Sequence, residues 1–142
     1  MLKKTITYTD YDGERRTEDF YFNLTKAELV ELNLSLPGGM EEYITKLIVK
    51  KDIPAMAKLY KQIIMSAYGE KSADGRRFIK SDELTQDFLQ TEAYSELYIE
   101  LLDGNNMEKF VRAITPAITD EEYNQAKAEY EAKHGMTLLE TQ

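Results

Sequence analysis

Cysteine is absent from this sequence, which removes disulfides, thiolate catalysis and cysteine-ligated zinc together. Histidine is nearly absent, with His134 the only one. Without a second imidazole or any thiol, a catalytic triad or a nucleophile–base pair is hard to assemble. His134 sits just before Gly135 in a polar stretch, where a cation near a helix C-terminus is the simplest reading. No apolar run approaches the roughly 20 residues that a membrane helix needs. The opening Met1-Leu2-Lys3-Lys4-Thr5 lacks the apolar core of a signal peptide. Basic residues are in deficit, 18 against 26 acidic ones, for a formal charge of −8. Phosphate contacts need a basic surface, so this balance speaks against nucleic acid as a partner. These absences predict a cytoplasmic chain with neither a membrane nor a nucleic-acid partner.

What is present suits one domain of ordinary size. The 142 residues are 42% hydrophobic and 31% charged, inside the globular range. Six methionines and ten tyrosines suit core filling and also half-wet interfaces.

The chain opens with alternation. Leu2, Ile6 and Tyr8 fall on one strand face, and Lys3, Thr5, Thr7 and Thr9 on the other. Asp10-Tyr11-Asp12-Gly13-Glu14 supplies turn chemistry. The run from Arg15 to Phe22 then puts Phe20 and Phe22 opposite Asp19 and Tyr21. A β-hairpin follows, whose apolar face needs the later helices or another copy to cover it.

Helix signals succeed one another from there. Thr25 and Glu28 form a capping box with Leu24 and Leu29 placed as a staple, and the element ends before Pro37-Gly38-Gly39. Met40, Tyr43, Ile44, Leu47 and Ile48 make an amphipathic stripe, with Lys46, Lys50 and Lys51 late in the helix. Asp52 and Pro54 open a third helix, read to Tyr68 and stopped by Gly69. Its stripe is Ile53, Met56, Leu59, Tyr60, Ile63, Ile64 and Tyr68. Glu70 to Lys80 reads as a polar loop. Ser81 or Asp82 caps the next helix, and Thr91 caps one running to Asp103 that Gly104 ends. Asn106 starts a shorter helix before Pro116. From Asp120 to Gln142 six acidic residues face two basic ones, and the last helix carries only Tyr123, Ala126 and Tyr130 on its apolar side. The pattern predicts an α+β, mainly α fold: an N-terminal β-hairpin followed by a bundle of about five to seven helices. Residues 1–118 form this body, and 119–142 an acidic, weakly amphipathic helix and loose tail.

Chemistry is scarce. Tyr8-x-Asp10-x-Asp12-Gly13 resembles part of a calcium loop, but Tyr8 and Asp19 stand where Asp and Glu are needed, and a turn explains the residues better. Pro37-Gly38-Gly39 lacks the Gly-Lys-Ser/Thr of a phosphate loop. No catalytic residue, metal site or cofactor is expected. Arg76 and Arg77 fit either a solvated loop or a grip on an acidic partner. Tyr43, Met56, Tyr60, Tyr94 and Tyr98, at helical spacing, are read either as core or as part of a partner-binding surface.

From Phe20 to Pro116 the wording is that of a family. Phe20-Tyr21-Phe22-Asn23-Leu24-Thr25-Lys26-Ala27-Glu28, Pro37-Gly38-Gly39, Tyr68-Gly69-Glu70-Lys71-Ser72, Gly75-Arg76-Arg77-Phe78-Ile79-Lys80-Ser81 and Gln90-Thr91-Glu92-Ala93-Tyr94 occur in order. Each phrase is weak alone, and their ordered combination resembles the tail assembly chaperones of long-tailed phages of Gram-positive bacteria. The resemblance implies a protein of the host cytoplasm that binds the tape measure protein, keeps it soluble and primed for tail tube assembly, and is absent from the mature virion. It further implies that a longer frameshifted product recruits the tail tube protein, and it accommodates a homo-oligomer. The alternatives are a structural tail or head-completion protein retained in the virion, a small regulator of a host protein, and an enzyme.

Overall fold

The computed structural model describes residues 1–116 together with Glu121, Asn124, Gln125 and Ala128. The expectations for the C-terminal helix with Tyr123, Ala126 and Tyr130, for His134 and for the division at residue 118 fall outside the described residues. Strands β1 (Leu2–Thr9) and β2 (Arg15–Phe22) pair antiparallel from Leu2 opposite Phe22 to Thr9 opposite Arg15. Asp10 builds the connecting turn, its carboxylate accepting the Asp12 and Glu14 N–H groups, each at 2.9 Å. Gly13 takes φ +83° there, a conformation that costs a residue without Cβ little. The faces divide as the alternation predicts, with Ile6, Tyr8 and Phe22 buried. The outer face is a polar ladder: Thr5 donates to Asp19 (2.6 Å) and the Thr7 and Thr17 hydroxyls meet at 3.0 Å.

The hairpin is not alone. Strands β3 (Tyr68–Lys71) and β4 (Phe78–Ile79) extend it into a four-stranded sheet in the order β1-β2-β3-β4. The stretch read as a polar loop is therefore a second hairpin, and Tyr68 is a strand residue opposite Phe22. Gly69 explains the close pairing, since a Cβ there would lie 2.6 Å from the Phe78 ring and 2.7 Å from the Ile79 carbonyl. Asp74-Gly75 makes the turn, with Gly75 at φ +73°.

Among the described residues six helices follow or intervene: α1 (Lys26–Ser35), α2 (Met40–Lys50), α3 (Ile53–Ala67), α4 (Asp82–Leu89), α5 (Glu92–Leu101) and α6 (Gly104–Ile114). Ser81, not Asp82, caps α4 through the Leu84 N–H, and Thr91 caps α5 through Tyr94. Gly104 is not a stop but the first residue of α6, because Asp103 takes the cap position and accepts from the Asn105 N–H at 2.9 Å. Asn106, expected to start that helix, instead donates its side-chain amide to the Glu100 carbonyl (3.0 Å).

The chain divides into two compact units. The first joins Met1–Leu24 to Ala57–Thr115 and is organised on aromatic rings. Phe88 of α4 stacks on Tyr68 at 4.4 Å and lies 5.2 Å from Phe20 and 5.8 Å from Phe22. Phe110 of α6 meets Phe22 edge-on at 5.3 Å. Such pairs add about 0.5–1.5 kcal/mol each beyond area burial. Ile63, Ile64, Leu97, Leu101, Met107 and Ile114 fill the surrounding core. The ends of the elements are tied by backbone, Asn23 N–H to the Ala67 carbonyl (2.8 Å) and Leu24 N–H to Ile114 (2.9 Å). Lys80 adds a clamp, its ammonium donating to the carbonyls of Asn23 and Ser66, each at 2.7 Å.

The second unit holds Thr25–Met56. Thr25 and Glu28 form the predicted capping box in both directions (3.1 and 2.9 Å). Asn33 links α1 to α2, donating to the Leu29 carbonyl and accepting the Met40 N–H, both at 2.9 Å. Helix α2 closes in a Schellman turn, with Asp52 N–H to the Leu47 carbonyl and Lys51 N–H to Ile48, each at 3.1 Å. Lys51 occupies the left-handed position usually given to glycine, at φ 55°.

Two outcomes follow for stability. Lys51→Gly, which removes the left-handed strain, should raise unfolding free energy by about 0.5–1 kcal/mol in urea melts. Lys80→Met leaves two part-buried carbonyls without their charged donor and should cost about 1.5–3 kcal/mol in the same assay.

Candidate interaction surfaces

The residues singled out from sequence separate by burial. Tyr60 is 1% exposed and takes the core alternative. Its hydroxyl has no hydrogen-bond partner among the described residues, and burial raises its pKa above the usual tyrosine value. Tyr94 and Tyr98 are half-buried and adjacent on α5, with ring centroids 5.8 Å apart. The Tyr98 hydroxyl donates to the Ala57 carbonyl at 3.3 Å, and Tyr94 leans edge-on against Phe88 at 5.8 Å. Both rings are therefore anchored by a contact while remaining half-buried. Tyr43 and Met56, in the second unit, are also half-buried.

Arg76 and Arg77 are exposed in the β3–β4 turn. This turn is built around Asp74, whose carboxylate accepts from the Ser72 hydroxyl (2.7 Å), the Arg76 N–H (3.1 Å) and Arg76 Nε (3.0 Å). The Ser72 hydroxyl, followed by the Arg76 backbone and side chain, lowers the Asp74 pKa. Arg76 is thus partly used by the turn, while the Arg77 guanidinium has no ion pair among the described residues.

Open grooves on the first unit include the following three. One, of about 380 Å³, follows β2 where β3 turns away, lined by Glu18 to Tyr21 and Tyr68 to Lys71. A second, of about 420 Å³, runs between α3 and α4 past Lys58, Lys61, Met65 and Thr85. The third, of about 320 Å³, lies at the hairpin turn beside Tyr8, Asp10, Tyr11 and Arg16. None brings three His, Cys, Asp or Glu side chains into a metal-holding group among the described residues. No helix among them is long and apolar enough to cross a membrane.

The groove at the hairpin turn has the tightest electrostatics. Arg16 Nε donates to Asp10 at 2.5 Å, and Tyr8 donates to Glu18. The Arg16 contact, with the Glu14 and Asp12 amides, holds the Asp10 carboxyl below its ordinary 3.8. The Glu18 contact pushes the Tyr8 hydroxyl up.

Sequence reasoning missed the apolar residues at the α2–α3 turn. It placed Ile48 and Ile53 in apolar stripes, yet both are exposed, as is Val49. Ile99 and Leu102 at the end of α5 are exposed too. Helical spacing groups residues on a face but does not say which face is covered.

Open grooves, half-buried tyrosines and exposed aliphatic side chains mark the surface of a small α+β protein. Along its length, residues 1–141 match the profile of the phage tail assembly chaperones. The chain belongs to that family. No curated protein and no solved structure matches it.

The Asp10 network makes a pH prediction. A carboxyl whose folded pKa is depressed stabilises the fold fully above its unfolded pKa and loses that contribution as pH falls through the folded value. The Asp10 carboxyl should therefore titrate below 3.8 in an NMR titration. Asp10→Asn should lower stability at neutral pH and flatten the loss of stability below about pH 4.

Proposed function

We propose that this chain binds the tape measure protein in the host cytoplasm, keeps it soluble and holds it ready for tail tube assembly. The observation that carries the reading is the match of residues 1–141 to the tail assembly chaperones. The surface chemistry supports it. A long helical client has apolar side chains to cover, and Ile48, Val49, Ile53, Ile99 and Leu102 stand exposed at helix ends. Half-buried Tyr94 and Tyr98 offer broad rings with little side-chain entropy to lose. The formal charge of −8 keeps many copies on one client from clumping. The protein acts by holding, without catalysis, and leaves before the virion is complete. A longer frameshifted product would bring the tail tube protein to the same client.

Co-expression with the tape measure protein of the same phage tests this. The long protein should move from the insoluble to the soluble fraction and co-purify with the chain. If it stays insoluble and unbound, the reading fails. Gradient-purified virions should lack the chain, whereas a structural tail protein would remain in them.

A further inference from the structure

The turn between α2 and α3 concentrates apolar exposure. Ile48 is 47% exposed, Val49 75% and Ile53 62%. Single exposed aliphatic residues are ordinary, but three β-branched ones within six residues form a patch. Leu47 of the same turn is buried, so the core contribution of this helix end is already made without them.

The patch is framed by cations, and the one carboxylate between Ile48 and Ile53, that of the exposed Asp52, accepts the Ala55 N–H at 3.3 Å. Lys46, Lys50 and Lys51 are exposed, and none has an ion pair among the described residues. They stand out in a chain of formal charge −8. Lys51 is also the single non-glycine residue with positive φ among the described residues. Glycine would close this Schellman turn without strain, so the strained position keeps a cation in the middle of the patch.

The form of the occupant follows from the backbone. Ile48 and Val49 lie within α2 and Ile53 opens α3, so the patch offers side chains and no free strand edge. A segment docking here must satisfy its own backbone hydrogen bonds, which an amphipathic helix does. Its apolar stripe would cover Ile48, Val49 and Ile53, and its flanking carboxylates would meet the three lysines.

We infer that the α2–α3 turn is the docking point for an acidic amphipathic helix of the client, an inference that rests on the client-holding function proposed above. A lipid surface suits the patch less well. It has no aromatic residue, and anionic headgroups repel a chain of formal charge −8. A second copy would bring another −8 of its own.

The test uses the full chain and peptides of about 25 residues tiling the tape measure protein, long enough to become helical when bound. Binding is read by fluorescence anisotropy, with full-length client capture in parallel. Wild type should bind tiles with acidic residues beside an apolar stripe, less tightly as salt rises. Val49→Asp with Ile53→Asp should weaken binding at least tenfold. Lys50→Glu with Lys51→Glu should do the same and abolish the salt dependence. Lys51→Gly is the sharpest variant: it should bind several-fold more weakly while unfolding no more easily than wild type, which a merely structural role does not produce. If wild type captures the client and every variant captures it equally, this docking site is wrong and the chaperone function stands. If wild type captures nothing, the function itself fails and the site with it. Variants that lose only binding to phosphatidylserine vesicles, or only self-association in sedimentation, overturn the client assignment.

Discussion

Phe88 is the residue on which the first unit closes. It lies flat on Tyr68 from β3 at 4.4 Å and edge-on to Phe22 from β2 and Tyr94 from α5, each at 5.8 Å. One ring on an eight-residue helix therefore joins two strands and the next helix. Neither hairpin has enough apolar surface to be stable unaided, and β4 contributes only two residues. Sheet and helices become mutually dependent through this cluster, which also fixes where the β3–β4 turn and the half-wet face of α5 project.

Much of this was legible because it is local. Thr25 with Glu28, Ser81 and Thr91 cap helices through bonds spanning only three residues, so neighbouring sequence identifies Thr25 and Thr91 and narrows the third cap to Ser81 or Asp82. Strands β1 and β2 run eight residues each, long enough for a period of two to stand out along β1 and at the Asp19–Phe22 end of β2. Strands of four and two residues carry no period. Tyr68 falls in phase with the stripe of α3, so it reads as one more helical residue until pairing with Phe22 claims it. Only Asp74-Gly75 announced the second hairpin, and a dipeptide without flanking alternation is a thin signal.

The candidate interaction surface was less legible for a different reason. Tyr60 and Tyr98 look alike in sequence, yet one is sealed in the core and the other meets solvent. Ile48 and Ile53 have every property of core residues. They flank the left-handed turn at Lys51 and are exposed there, 47% and 62%. Tertiary accessibility is set by neighbours distant in sequence, and no periodicity encodes it.

An exposed aliphatic patch is ordinarily a liability, because the same atoms that would recognise a client would recognise another copy. The charge distribution bears directly on this. The lysines sit around the patch, while the chain as a whole carries −8. As two copies approach within a Debye length, about 10 Å at 0.1 M salt, their net charges repel and discourage encounter. At contact distance the local lysines dominate, and they favour a partner whose carboxylates lie beside its apolar stripe. Repulsion acting before contact and selectivity acting at contact need not compete. Together they let a protein keep apolar groups in water while discriminating between its own copies and an acidic helix.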